Sequence, residues 1–348
     1  MNDETLQQAS PPQSFAEFYA SEIAPGLPAL EAQRRDRLRK ATVRAVGLGV
    51  VVAAVAAAGF ALPEYRIVLA VLVVLGLAAG AWWATAPARR HREALRELVV
   101  EPLRRHLGGP GGDLDYQRKV GHHKQGGRFD LGLIERSGIV GGFNRSTLED
   151  LLSGRHRGTD YQMVEARLKR RSGGKRRSST TVFKGLLCSL SVPVAFKCRV
   201  LLVGDRGKLG NRVADFLRDK FTEMSPVPLD HGAFEDRFQV YSDDPAAARQ
   251  LLQPGLLDSL LAIADPRVRA GRGPRTGSAG KEAVNCGFLE GRFVIAIPQA
   301  KDLFEIGRLT RSLDYAEEDI RRLAIEFTIP QRLIDNLHGE RVGVLGGG

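Results

Sequence analysis

Two adjacent aspartates, Asp243 and Asp244, close the run FEDRFQVY and open onto PAAARQLL. Paired carboxylates can divide general acid and general base work when their environments separate their pKa values. The local pattern argues for a different task. Asp244 stands before Pro245 and three alanines, so it reads as the N-cap of a helix with proline at its first position. There its carboxylate accepts from a free backbone N–H and its charge complements the helix dipole. Asp243 is expected to be exposed beside it, with no special role. Asp230–His231 is the other acidic grouping a hydrolase could draw on. No further catalytic signature accompanies either.

The remaining reactive residue types are sparse. Seven histidines show no H-E-x-x-H or comparable ligand spacing. His122 and His123 would point apart on a strand, and His91 and His106, set among arginines, are expected to be solvated. Cys188, Cys198 and Cys286 have no C-x-x-C spacing, which disfavours both a disulfide framework and a zinc site. They read as reduced thiols, Cys188 and Cys198 as buried small hydrophobes. VGDRGKLGN lacks G-x-x-x-x-G-K-[ST], and GxGxxG is absent. Lys208 could attract an anion ahead of NRVADFLRDKF, although a plain turn is the simpler reading. Neither a cofactor nor a metal is therefore expected, and no catalytic residue is assigned.

Charge is the stronger signal. The 348 residues carry 51 Lys+Arg against 40 Asp+Glu, a formal net charge of +11, which favours an anionic partner. Arg167, Lys169, Arg170, Arg171, Lys175, Arg176 and Arg177 fall in one short stretch running into the loop RSGGKRRSS. Just inside an anionic leaflet, each could add roughly 1 kcal/mol of attraction. A solvated hairpin tip is the competing reading. A second loop, RVRAGRGPRTGSAGK, is Gly/Arg-rich. Neither loop is interleaved with stacking aromatics, which disfavours nucleic acid as a partner.

These residues must be positioned by elements of two kinds. Residues 45–62, AVGLGVVVAAVAAAGFAL, and 67–86, IVLAVLVVLGLAAGAWWATA, carry no charge, and each approaches the ~20 residues a helix needs to span a bilayer. Four residues separate them, so a transmembrane helical hairpin is expected. The flanks RRDRLRK, Arg44 and RRHR are basic while the turn holds a single arginine, which predicts both termini in the cytoplasm. Trp82 and Trp83 fall near the inner end, and Gly76-x-x-x-Gly80 has a close-packing spacing. With no ionisable residue mid-span, the hairpin reads as an anchor rather than a transporter.

The expected organisation has a disordered tail at 1–13, membrane-proximal helices at 14–44 and the hairpin at 45–86. An amphipathic helix and Gly-rich linker follow at 87–112, with Pro102 expected to kink or end that helix early. A cytoplasmic α+β domain is expected at 113–337 and a flexible tail at 338–348. In the domain, YQMVEARLKRR alternates with period two and reads as a strand. So do TVFKGLLCSLSVPVAF, CRVLLVGD, RFQVYS and GRFVIAIP. NRVADFLRDKF, PAAARQLLQPGLLDSLLAIAD and SLDYAEEDIRRLAIEF read as helices. This mixture predicts an antiparallel or mixed sheet with packed helices.

The succession FAEFY, IAPGLPALEAQRR, two spans, STLEDLLSG, VFKGLLCSL, FEDRFQVYSDDPAAARQLL, FVIAIPQAKDLFE and EEDIRRL resembles a bacterial membrane-protein family catalogued as domain of unknown function 3137. The resemblance runs from about Phe15 to Leu337, and FEDRFQVYSDD and FKGLL are its most specific parts. It implies a two-span anchor in the bacterial inner membrane with a cytoplasmic domain, and it transfers no catalytic residues. The function expected is a noncatalytic interaction or scaffold module that engages the bilayer and an unidentified membrane or cytoplasmic protein. The alternatives are an anionic-lipid or phosphorylated-ligand binding domain acting through the first basic loop, and a hydrolase of unrecognised type.

Overall fold

Uncharged apolar stretches run through part of each of the two longest elements. In the computed structural model, which describes residues 15–61, 64, 66–108, 114–121, 128–173, 178–192, 195–204, 223–265, 283–299 and 312–338, these are helices. A short α1 (Phe15–Phe18) leads through a π turn at Tyr19–Ile23 and a 3-10 turn at Ala24–Gly26 into α2 (Leu27–Ala61); α3 runs over Arg66–Gly108. Among the described residues, one helical run is long and apolar enough to cross a membrane, Phe15–Ala58; its most apolar stretch has a mean hydropathy of 2.0 and is unburied. The chain divides into two units, Met1–His106 with Phe304–Arg321, and Leu107–Leu303 with Arg322–Gly348.

In the first unit α2 and α3 approach each other at Gly80–Leu48, Arg44–Trp83 and Arg37–Arg90. A side chain at Gly80 would collide with Leu48, while Gly76 faces open space, so one glycine of the G-x-x-x-G spacing serves helix approach. Pro87 lies inside α3 and has no N–H to give the Trp83 carbonyl. Arg44 of α2 supplies the missing donor, Nη1 to Trp83 O at 3.3 Å, and its guanidinium lies 4.5 Å from the Trp83 ring centroid. Pro102 does not end α3 early, contrary to expectation. Leu95, Val99, Val100 and Leu103 are buried on either side of it, and this packing carries the helix to Gly108. His91 and His106 are not solvated either: His91 is fully buried, and His106 stacks on Phe18 at 4.2 Å. Both lie on faces of α3 that pack inward.

The second unit is built on β1 (Leu114–Gly121), β2 (Arg145–His156), β3 (Thr159–Arg171), β4 (Ser179–Ser191), β5 (Val200–Gly204), β6 (Ser225–Pro226), β7 (Phe238–Ser242), β8 (Asn285–Leu289) and β9 (Arg292–Pro298). Among the described residues these form one sheet, ordered β1-β2-β3-β4-β9-β8-β5-β7-β6, with every pairing antiparallel. Two hairpins close through two-residue turns with positive φ at both positions, Arg157–Gly158 and Glu290–Gly291. That conformation matches the strand twist. Gly185 is required for another reason: any side chain there would strike the Ile297 carbonyl of the neighbouring strand.

Period-two alternation gives the sheet two apolar faces. On one, Leu148, Val164, Ala166, Leu168, Phe183, Leu187, Val294 and Ala296 pack with Phe129, Leu133, Ile134, Ile139 and Phe143. The latter group comes from α4 (Leu131–Ser137), capped by Asp130, and its flanks. Further helices follow: α5 (Gly232–Glu235), α6 (Pro245–Leu251), α7 (Pro254–Ala264), α8 (Ala316–Phe327) and α9 (Ile329–Leu337). The run expected as one helix over 245–265 is two, because Pro254 cannot continue α6 and instead starts α7. α9 packs on β3, β4 and α7.

Candidate anion-binding face

The same alternation places charge on the second face of β2, β3 and β4. Val164, Ala166 and Leu168 point into the core, so Glu165, Arg167 and Lys169 point the other way. Register then decides their neighbours. Arg145 lies directly opposite Lys169, and Arg167 directly opposite Lys184. Thr147 sits across from Arg167 on β2, and Thr181 across from Lys169 on β4. One row further along, Glu149 faces Glu165. Arg145 and Arg167 are exposed, Lys169 and Lys184 half-buried. Directly opposed side chains stand about 5 Å apart at Cβ, and like charges there cost some tenths of a kcal/mol.

The structure therefore regroups the sequence-predicted cations. Arg167 and Lys169 join the ladder. Arg170 points to the opposite face, where its Nε donates to Gly142 O at 2.8 Å. Arg171 at the strand end is exposed, and its backbone is clamped by Asn144: Nδ2 donates to Arg171 O at 2.9 Å, and Arg171 N donates to Oδ1 at 2.9 Å. Lys175, Arg176 and Arg177 lie outside the described residues, as do His122, His123, Lys208 with NRVADFLRDKF, and the Gly/Arg-rich loop. Arg145 and Lys184 escaped sequence reasoning. The readable signal for Lys184 was its place after the inward Phe183. Nothing local marks Arg145, whose partner is chosen by pairing.

The acidic candidates have structural partners. Asp244 Oδ1 accepts from Ala246 N at 3.1 Å and Ala247 N at 3.0 Å, capping α6. Asp243, expected to be without a role, accepts from Arg199 N at 2.7 Å and ties the end of β7 to the start of β5. His231 meets Asp258 at 3.2 Å, while Asp230 is exposed. The strand serines Ser189 and Ser191 accept from Arg292, at 2.8 and 3.5 Å. All three cysteines are buried; burial pushes the Cys188 thiol up to about 12, and Cys198 and Cys286 also move upward, chiefly through desolvation. Thiolate chemistry is suppressed at each. Among the described residues no group of three or more His, Cys, Asp or Glu is placed to hold a metal ion.

A second polar cluster joins the β2–β3 turn to α9. His156 Nε2 lies 2.7 Å from Asp335 Oδ1, Arg157 Nε lies 3.0 Å from the same oxygen, and Thr159 Oγ1 is 3.4 Å from His338 Nε2. Beside it, burial raises the Tyr161 hydroxyl to about 12, partly offset by its bond to Gln331. These contacts fasten a helix to a hairpin; neither the geometry nor the pKa shift suits proton transfer near neutrality.

Residues 181–338 match a family described as Protein of unknown function (DUF3137). The match begins in β4 and ends just past α9, and it supports the family resemblance over that part of the chain. No curated protein matches. A solved structure, the crystal structure of the mycobacterial trehalose monomycolate transport factor A, TtfA, is similar at 12% identity, over 63% of this chain and 88% of that one, with a TM-score of 0.29. That likeness is too slight to transfer a fold or a role.

Proposed function

We propose that this chain is a bacterial inner-membrane protein whose α+β unit is a noncatalytic interaction module, recruiting or organising a partner at the membrane. One observation carries the anchoring. The large hydrophobic side chains that are exposed, among the described residues, are Val43, Val46, Val50, Val51, Ile67, Val71, Val74, Leu77 and Trp83, all on α2 and α3. Large apolar side chains exposed in this way are costly in water and at home in hydrocarbon. The two apolar stretches, 45–62 and 67–86, form a transmembrane hairpin supported by the Gly80–Leu48 approach. Basic flanks keep both termini in the cytoplasm. Interaction rather than catalysis is favoured because the Asp, Ser and Cys candidates are engaged in caps, clips and core.

The test has two parts. Glu64→Cys, placed in the turn, is expected to react with a membrane-impermeant maleimide from the outer side, with little background from the buried native cysteines. Protection from outside but reaction after permeabilisation overturns the orientation. Crosslinking of full-length protein in its own membranes, followed by purification at moderate salt, is expected to return one reproducible protein partner that is lost when the residues after Gly112 are deleted.

The cation ladder favours a second reading, in which the sheet face binds the phosphate of an anionic lipid headgroup or a phosphorylated ligand. Binding of phosphatidylglycerol is then expected to fall steeply with salt and to be lost in Arg167→Ala/Lys184→Ala. Salt-insensitive association argues for the protein partner instead.

A further inference from the structure

His91 is fully buried, and both of its ring nitrogens, Nδ1 and Nε2, are buried without a hydrogen-bond partner. A neutral imidazole carries one donor and one acceptor, and buried groups of that kind are nearly always satisfied. The residue belongs to a regular stripe. His91, Leu95, Val99 and Leu103 recur every four residues along α3, and all four are buried. A leucine at position 91 would complete the stripe at no polar cost, so the imidazole is the anomaly.

What faces it from α2 is charged. Arg34 Nε and Nη2 donate to the two carboxylate oxygens of Glu31, at 2.7 and 2.6 Å. Glu31 also accepts from Arg35 Nε at 3.1 Å and from Leu313 N at 3.3 Å. These bonds, the Arg34 fork first, hold its carboxyl well below the usual range, at about 2. Arg37 Nη1 donates to the carbonyl of Arg90, the residue next to His91, at 3.0 Å. Asp314 adds its field to Arg34. His106, on α3 itself, is half-buried against Phe18. The acid facing His91 is thus already committed to two arginines and a backbone N–H, while two guanidiniums remain close. Burial first, then Arg37 and Arg34, depress the His91 pKa, opposed weakly by Glu31.

We propose that His91 is a proton-operated latch on the α2–α3 seam. Neutral, it packs as a hydrophobic ring and closes the seam at the polar ends of the two helices. Protonated, it becomes a third cation in a dry site beside Arg34 and Arg37. It then leaves for solvent and opens the seam that Glu31 also ties to Leu313. The sign follows from the depressed pKa: the latch is shut above the ordinary histidine range and opens as the pH falls below it.

The test is hydrogen exchange on the full-length protein in lipid nanodiscs, corrected for intrinsic rates, from pH 7.5 to pH 5. Peptides covering 30–40 and 88–106 are expected to lose protection at least tenfold in the wild type. In His91→Leu they are expected to stay protected throughout, and in His106→Gln to open as the wild type does. An acid-insensitive wild type overturns the proposal, as does an unchanged acid response in His91→Leu. Should His91→Leu fail to fold, the wild-type His91 ring resonance decides: titration coincident with loss of protection supports the latch, and ordinary titration with the seam still closed overturns it.

Discussion

Two buried polar side chains, one in each unit, are treated in opposite ways. Asn285 opens β8 and is fully used: its Oδ1 accepts from Gly204 N at 3.2 Å and its Nδ2 donates to Ile139 O at 2.8 Å. It joins the sheet to the segment that covers the core face, and it is uncharged at any physiological pH. His91 in the helical unit is more deeply buried and makes no hydrogen bond. At Asn285 cross-strand and loop backbone satisfy the polar side chain. A helix satisfies its backbone internally and leaves a polar side chain in a helix–helix seam dependent on what the partner helix brings. Here α2 brings like charge.

The largest effect that sharpens this comparison is expected from Asn285→Ala. It strands a buried N–H and a buried carbonyl and should cost roughly 3 kcal/mol of stability in the sheet unit, read by chemical denaturation. His91→Leu, by contrast, should leave neutral-pH stability unchanged or raised. Equal losses from both would erase the difference between the two units.

Acid should separate the units next. Glu31 has its pKa lowered from 4.5 to about 2, so its contribution is present above the ordinary value and is lost as the pH falls through that window. Protection of the Glu31–Leu313 tie should therefore fall between about pH 4.5 and 2, a second step below the histidine one. Glu31→Gln should abolish the lower step and leave the upper. A single acid transition common to both units would break the comparison.

Smaller effects test the sheet unit alone. Asp244→Ala should cost about 1 kcal/mol by removing the cap of α6, measured as a shift in unfolding midpoint. Arg167→Ala should change stability by only some tenths of a kcal/mol, while weakening headgroup binding far more. If that variant left anion binding unaltered, the ladder would be a solvated face.

Legibility differed between the units for physical reasons. The long helices were readable because an unbroken apolar run needs no partner to be recognised. β3 was readable from its alternation, and β4, β5, β7 and β9 also read as strands, though β1, β2, β6, β8 and α4 were passed over. Asp244 was readable because capping is a matter of neighbours in the chain. The His91 stripe was present as a four-residue period, but Pro102 and the surrounding arginines concealed it, and a histidine's burial depends on what packs over it.

Sequence alone therefore determined the properties that depend on near neighbours: apolar length, strand alternation, the capped start of α6, and the excess of positive charge. Tertiary structure alone decided which cations face one another, because strand register brings Arg145 to Lys169 and Arg167 to Lys184 across separations the chain does not encode locally. It also decided that Asp243 clips β5 and that His91 is sealed without a partner. Pairing and burial are properties of two segments at once, and neither segment carries them by itself.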